Sequence, residues 1–283
     1  MKLGIVGVGL IGGSFALGLK ENFKDLRVLG ADKNVDHLFK SKALGIVDYI
    51  SNIDELCRQA DVIALSIPVN AIKNLLPRIL DQINGSQLVI DFGSTKKAIC
   101  ESVANHPKRS HFVAAHPIAG TEYSGPESAF KELFLEKVMI TCEEESSGKA
   151  QMAVFKDLCN RLNMKMRFMT AEDHDLHLAF VSHLSHITSF ALSNTVLEKK
   201  DTEGHIFDMA GSGFASTVRL AKSSPDMWAP IFEENKMHLL DGLTNYIAQL
   251  QSFKTSLEKG DKKELRDFME KANSIKDIVD QLP

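Results

Sequence analysis

The sequence predicts an α/β fold in which an open, doubly wound sheet is followed by an all-helical domain. Three observations carry this. Short apolar runs alternate with amphipathic stretches through the first half of the 283 residues, as in repeated strand–helix–strand units with a parallel sheet. The strand-like runs are apolar throughout, as strands buried on both faces are. From Thr170 onward such runs vanish, and helical patterns continue to the end.

The elements follow in order. Residues 3–8 read as a strand, 12–20 as a helix, 26–31 as a strand and 35–44 as a helix. Residues 62–67 form a strand stopped by Pro68. A helix over 72–83 should be kinked or broken by Pro77, which lacks an amide proton. Residues 88–92 read as a strand, 96–104 as a helix, and 112–115 and 138–141 as short strands. A polar loop at 143–148 leads to a helix over 150–162 and a strand over 165–168. Thr170 with Asp173 resembles a helix N-cap and acidic first turn. The chain is therefore divided into residues 1–168 and a helical domain at 169–283.

Composition excludes several function classes. A hydrophobic fraction of 44% and a charged fraction of 25% are those of an ordinary globular protein. A net charge of -4 gives nucleic acid or an anionic membrane no hold on the molecule as a whole. Cys57, Cys100, Cys142 and Cys159 form no CxxC pair and lack zinc-site spacing, which predicts reduced, buried thiols and no metal. No signal peptide and no apolar span of about 20 residues is visible, so the expected location is the cytoplasm.

Gly7-Val8-Gly9-Leu10-Ile11-Gly12 matches G-x-G-x-x-G, follows a strand, opens a helix, and precedes Asp32 at the end of the second strand. That context specifies a Rossmann-type dinucleotide site. Gly7 permits the tight turn, Gly9 lets the backbone approach a pyrophosphate, and Gly12 lets helix pack on strand. The first helical turn, at Leu10, Ile11 and Gly12, offers amide donors to phosphate. Asp32 is suited to accept hydrogen bonds from ribose hydroxyls and would repel a 2′-phosphate. NAD⁺ is therefore expected over NADP⁺, with adjacent Lys33 able to blunt the preference. Ser66 and Pro68, and the segment Asp91-Phe92-Gly93-Ser94-Thr95-Lys96, lie at the ends of later strands and should border the cofactor. Ser94 offers a hydroxyl toward the nicotinamide side. Thr95 and Lys96 read as an ordinary strand-to-helix loop.

His116 follows another strand and should share the rim with the cofactor. An imidazole with an unperturbed pKa near 6.5 is suited to take a proton from a substrate hydroxyl.

HPIAGTEYSG at 116–125, DFGSTK at 91–96, SHLSH at 182–186 and GSGFASTVRLAKSSPDMW at 211–228 together resemble the prephenate/arogenate dehydrogenase family of tyrosine biosynthesis. The likeness runs from the first strand to about Leu250. It departs from the family pattern in Ser94-Thr95-Lys96, where Ser-Val-Lys is common, and in His183-Leu184-Ser185-His186, where His-Leu-Pro-His is common. The resemblance implies NAD⁺-dependent oxidative decarboxylation of prephenate to 4-hydroxyphenylpyruvate, with CO₂ released. It implies that His116 takes the ring-hydroxyl proton and that Ser94 orients both His116 and the nicotinamide. It also implies a homodimer built through the helical domain.

A dianionic substrate needs fixed positive charge, and Arg219 has a planar fork suited to a carboxylate. The family's matching arginine binds the substrate carboxylate. Asp175, His183 and His186 are spaced to share roughly one helix face. Two histidines and a carboxylate admit a metal reading, but a hydride enzyme needs none. The resemblance places His186 on the substrate and Asp175 closing the site near Trp228. His183 is either functional or part of a polar stripe between domains, and His174 and His177 read as solvated. Trp228 is either core or site wall. Glu122 and Tyr123 follow the base loop and could border the pocket. Three alternatives stand beside prephenate dehydrogenase. They are arogenate dehydrogenase, a 3-hydroxyacid dehydrogenase (whose catalytic lysine has no counterpart here) and a non-catalytic NAD-sensing module. The tail from Leu239 is expected to be too short for a regulatory domain.

Overall fold

The computed structural model describes residues 1–200 and 202–280. Residues Met1–Asn235 form one compact unit and Lys236–Pro283 a second.

The first unit is built on an eight-stranded sheet. Its strands are β1 (Lys2–Val6), β2 (Arg27–Ala31), β3 (Tyr49–Ile50), β4 (Val62–Leu65), β5 (Leu88–Asp91), β6 (Phe112–Pro117), β7 (Val138–Cys142) and β8 (Lys165–Met169). They lie in the order β3-β2-β1-β4-β5-β6-β7-β8. The order reverses between β1 and β4, which opens a crevice at their carboxyl ends where dinucleotides bind in such sheets. The sheet is parallel except at β6–β7, where Ala114 to Pro117 run antiparallel to Cys142 to Met139. An all-parallel sheet was the expectation. The long loop from 118 to 137 returns the chain without a crossover helix, so β7 enters in the opposite sense.

Alternate residues of each strand feed two apolar layers. Ile5, Val28, Ala64, Ile90 and Val113 enter one layer, and Val6, Ile63, Leu65, Val89 and Phe112 enter the other. This is why the runs are apolar without alternation. Helices α1 (Leu10–Asn22), α2 (Val35–Ala43), α3 (Ile53–Gln59), α4 (Val69–Gln82), α5 (Lys97–Ser102) and α6 (Lys149–Arg161) cover the sheet. Helix α4 continues through Pro77 without a break, contrary to expectation. Its face of Val69, Ile72, Leu76, Ile79 and Leu80 is buried. Burying five such side chains, at roughly 1.5–3 kcal/mol each, outweighs the cost of about 3 kcal/mol for an internal proline. The short β3 and α3 had no counterpart in the sequence pattern, since neither is long enough to show a period.

Beyond β8 come α7 (Ala171–Leu178), a π turn at Ala179–His183, α8 (Leu184–Leu197), α9 (Ser212–Thr217) and α10 (Pro225–Glu234). Thr170 caps α7 by accepting from the Asp173 amide at 3.0 Å. Ala171, Leu178, Trp228 and Ile231 join the second apolar layer, which fixes α7 and α10 against the sheet. The second unit holds α11 (Lys236–Lys259), α12 (Lys262–Asn273) and α13 (Lys276–Val279). No described helix is long and apolar enough to cross a membrane. All four cysteines are buried free thiols.

Candidate active site

The glycine loop turns between β1 and α1. Gly7 has φ +92°, and a Cβ there would lie 2.2 Å from the Ser66 carbonyl oxygen. A Cβ on Gly12 would lie 2.2 Å from the Gly7 carbonyl oxygen. Both positions therefore exclude any side chain. Gly9 has open space around its would-be Cβ and provides no side-chain cap to α1. The first amides of α1, at Leu10, Ile11 and Gly12, thus start a helix with no side-chain cap beside open space at Gly9, an arrangement suited to an anion. Asp32 fixes this loop: its Oδ2 accepts from the Val8 amide at 3.0 Å and its Oδ1 from the Asn34 amide at 2.8 Å. Each carboxylate oxygen retains a lone pair for a hydroxyl donor. Half-buried Ser66 and Pro68 follow β4, beside this loop, and Pro68 is the cap residue of α4.

The loop after β5 is more deeply built than the sequence suggested. Lys96 is fully buried and forms an ion pair with Asp91, also fully buried. Its Nζ donates to the Ala115 carbonyl at 2.8 Å. Asp91 also accepts from the Gly93 amide at 2.9 Å and the Ala115 amide at 3.4 Å. Burial raises the Asp91 carboxyl, and Lys96 opposes that rise. This pair clamps the 91–96 segment to the residue before His116. The expected ordinary loop at Thr95 and Lys96 is thus corrected: both are buried, and Thr95 Oγ1 has no partner. A lysine five residues after a strand-ending aspartate is the one sequence feature that marked the pair.

His116 occupies the end of β6, half-buried. Its Nδ1 lies 2.9 Å from His174 Nε2. His174 is fully buried, not solvated as expected, and its Nδ1 donates to Asp175 Oδ1 at 2.7 Å. Asp175 caps α5, with Oδ1 accepting from the Lys96 amide at 2.7 Å and Oδ2 from the Lys97 amide at 2.9 Å. Ser94 is half-buried after β5. The ring contact of His116 is therefore with His174 rather than with Ser94.

The π turn places His183 on the buried face, where its Nδ1 accepts from Asn235 Nδ2 at 3.1 Å. The same Asn235 nitrogen donates to the Asp175 carbonyl at 2.7 Å. His183 meets the Trp228 ring edge-on at 5.8 Å, and His186 stacks on that ring at 3.5 Å. Trp228 is 7% exposed, and neither its Nε1 nor His183 Nε2 has a partner. Arg219 pairs with Glu122 across 3.2 Å with half its side chain exposed. Tyr123 is exposed and His177 is on the solvent side of α7. Among the described residues no group of three or more His, Cys, Asp or Glu is arranged to hold a metal ion.

The three clustered histidines share one electrostatic character. Burial is the leading cause in each. His116 is held well below 6.5, with Lys96, and the rings of His174 and His183 whenever they are protonated, adding to the effect. His174 is lowered despite the opposing pull of Asp175, and His183 is lowered to about 4. In the unfolded chain these rings protonate near 6.5, so below that pH the unfolded state binds more protons than the fold. Stability is therefore lost as pH falls through about 6.5 toward the folded values, by up to about 1.4 kcal/mol per histidine for each pH step of one. Urea unfolding at about pH 7 and about pH 5 should show this loss. Equal stability at the two would contradict buried neutral histidines.

The chain matches two family models, "Prephenate dehydrogenase, nucleotide-binding domain" over residues 15–168 and "Prephenate dehydrogenase, dimerization domain" over residues 170–271. It is 30% identical over 262 residues to a cyclohexadienyl dehydrogenase of Zymomonas mobilis, covering 92% of this chain and 89% of that protein. The crystal structure of a prephenate dehydrogenase from A. aeolicus, in complex with hydroxyphenyl propionate and NAD⁺, superposes with a TM-score of 0.90 at 29% identity. That match covers 99% of this chain and 98% of the other. A Synechocystis arogenate dehydrogenase superposes with a TM-score of 0.77 at 27% identity, covering 99% of this chain and 100% of that one. With a nucleotide-binding domain model and a dimerization domain model matched in order over most of its length, this chain belongs to the prephenate dehydrogenase family of oxidoreductases.

Proposed function

We propose that this enzyme carries out the NAD⁺-dependent oxidative decarboxylation of prephenate to 4-hydroxyphenylpyruvate, releasing CO₂, in L-tyrosine biosynthesis. The observation that carries it is His116, a rim histidine held neutral at the carboxyl edge of the sheet that also carries the glycine loop. Gly7, Gly9 and Gly12, the amides of Leu10 and Ile11, Asp32, Ser66, Pro68 and Ser94 would hold NAD⁺, which supplies the two-electron acceptor when bound. The fit rests on the open space at Gly9 and the uncapped start of α1.

His116 accepts the proton of the ring hydroxyl as its carbon is oxidised. It returns that proton to the phenolate oxygen formed when CO₂ leaves and the ring becomes aromatic. Aromatisation drives the reaction, so the protein mainly positions the substrate and supplies one base. Ser94, which follows the strand next to that of His116, helps hold ring and nicotinamide in register. Arg219 binds a substrate carboxylate in exchange for Glu122, and His186, Trp228 and Asp175 line or support that half of the site. The working division of labour is residues 1–168 for cofactor and 169–283 for substrate and dimerisation. Exposed Val181 (75%) and Met209 (89%) in the first unit, and Ile247 and Leu250 in the second, supply apolar surface for a homodimer.

Arg219→Ala should raise the Michaelis constant for prephenate about ten- to a hundredfold, the equivalent of one charge-assisted hydrogen-bond pair, with a smaller change in kcat. An unaltered constant would remove Arg219 from substrate binding. The function is tested by NADH or NADPH formation with prephenate and arogenate side by side, each with NAD⁺ and NADP⁺. Prephenate with NAD⁺ should be the fastest pair. Faster turnover of arogenate would shift the assignment to that substrate, and no turnover of either would leave a nucleotide-binding module.

A further inference from the structure

His116 ends a chain of three side chains in which His174 has had no role. Asp175 is anchored first: its oxygens accept from the Lys96 and Lys97 amides and from His174 Nδ1. Burial alone would raise its carboxyl. The hydrogen bonds outweigh burial and keep it below the ordinary carboxylate value. An ionised carboxylate only accepts, so His174 Nδ1 carries a proton. His174 is kept neutral by burial, which leaves its Nε2 bare. The 2.9 Å contact between His174 Nε2 and His116 Nδ1 then has one possible donor, His116. The single proton of neutral His116 is thus on Nδ1, and its Nε2 carries the free lone pair.

We propose that His174, held by Asp175, is a positioning residue that fixes His116 in the tautomer whose Nε2 is the base. The proposal rests on the assignment of His116 as the base. The groups facing this pair are Asp175 from α7, Lys96 and Asp91 from the β5–α5 segment, and His183 from the π turn. A proton placed on His174 Nε2 would reverse the central bond. His174 would then donate to His116 Nδ1, the His116 proton would move to Nε2, and the base would be lost. One proton added to either ring therefore inactivates the pair, and the two rings titrate as a unit.

The test compares the full-length wild type, His174→Phe and His174→Gln, labelled with ¹⁵N-histidine. Nitrogen NMR at neutral pH reads the His116 tautomer directly. The wild type should show a protonated Nδ1 and a bare Nε2. His174→Phe removes the acceptor, so His116 should become a mixture of tautomers. Its kcat should fall about ten- to a hundredfold, as when a partner orienting a histidine is removed. The Michaelis constant for prephenate should stay within about threefold and NAD⁺ affinity should be unchanged. His174→Gln retains a carbonyl acceptor and should restore both the tautomer and most of kcat. A wild-type His116 protonated on Nε2 would overturn the proposal, as would full kcat in His174→Phe. So would a His174→Gln enzyme with the wild-type tautomer but the activity of His174→Phe. If His174→Phe does not fold, the wild-type spectrum and His174→Gln still decide. The underlying base assignment fails separately, through undiminished turnover in His116→Asn.

Discussion

His116→Asn should lower kcat/KM for prephenate by about 10²–10⁴ while NAD⁺ binding stays near that of the wild type. The size follows from losing a positioned base, and the selectivity from position. His116 lies at the end of β6, whereas the glycine loop follows β1, with β4 and β5 between them. Asparagine fills similar volume and can keep a hydrogen bond to His174, so the fold should tolerate it. The wild-type pH profile sharpens the point. The proposed base works only when neutral, and burial holds His116 well below 6.5. Activity should therefore hold steady down through the ordinary histidine range and fall only at lower pH. Steady-state assays across pH, with NAD⁺ affinity from fluorescence quenching, check both. Unchanged turnover in His116→Asn would remove it as the base.

The second large effect is on stability. Lys96→Met should cost about 3–5 kcal/mol, because it leaves Asp91 as an uncompensated charge in a fully buried site. The loss is of a partner, not of attraction alone. The double variant Asp91→Leu with Lys96→Met should therefore recover part of the stability, since neither buried charge is left. Denaturant unfolding of the single and double variants measures this. A cost within experimental error for Lys96→Met would mean that water reaches the pair. Thiol substitutions would not mimic the effect, since Cys100 and Cys142, near the same pair, are pushed up by burial, Cys100 to about 12.

Much of the cofactor half was legible in the sequence. Strands such as Val62–Leu65 are short, wholly apolar runs because both faces are covered. Gly7 and Gly12 announce themselves because no other residue fits them. Other features depend on contacts that no local pattern encodes. Arg219 and Glu122 are 97 positions apart. His174 read as solvated because nothing near it in sequence hints at His116, 58 positions away. The regular helical spacing used for Asp175, His183 and His186 did not anticipate the π turn at Ala179–His183, whose extra residue re-aims the side chains that follow. Pro77 misled in the opposite direction, since a local helix breaker was overridden by the buried face of α4. The direction of β7 was set by the connection before it, which a strand pattern does not record.

The most direct single measurement is the stoichiometry of the wild-type reaction with prephenate and NAD⁺. Oxidation coupled to decarboxylation predicts NADH and CO₂ in equal amounts, with 4-hydroxyphenylpyruvate as the product. NADH without CO₂, or no NADH at all from a folded, NAD⁺-binding protein, would contradict it.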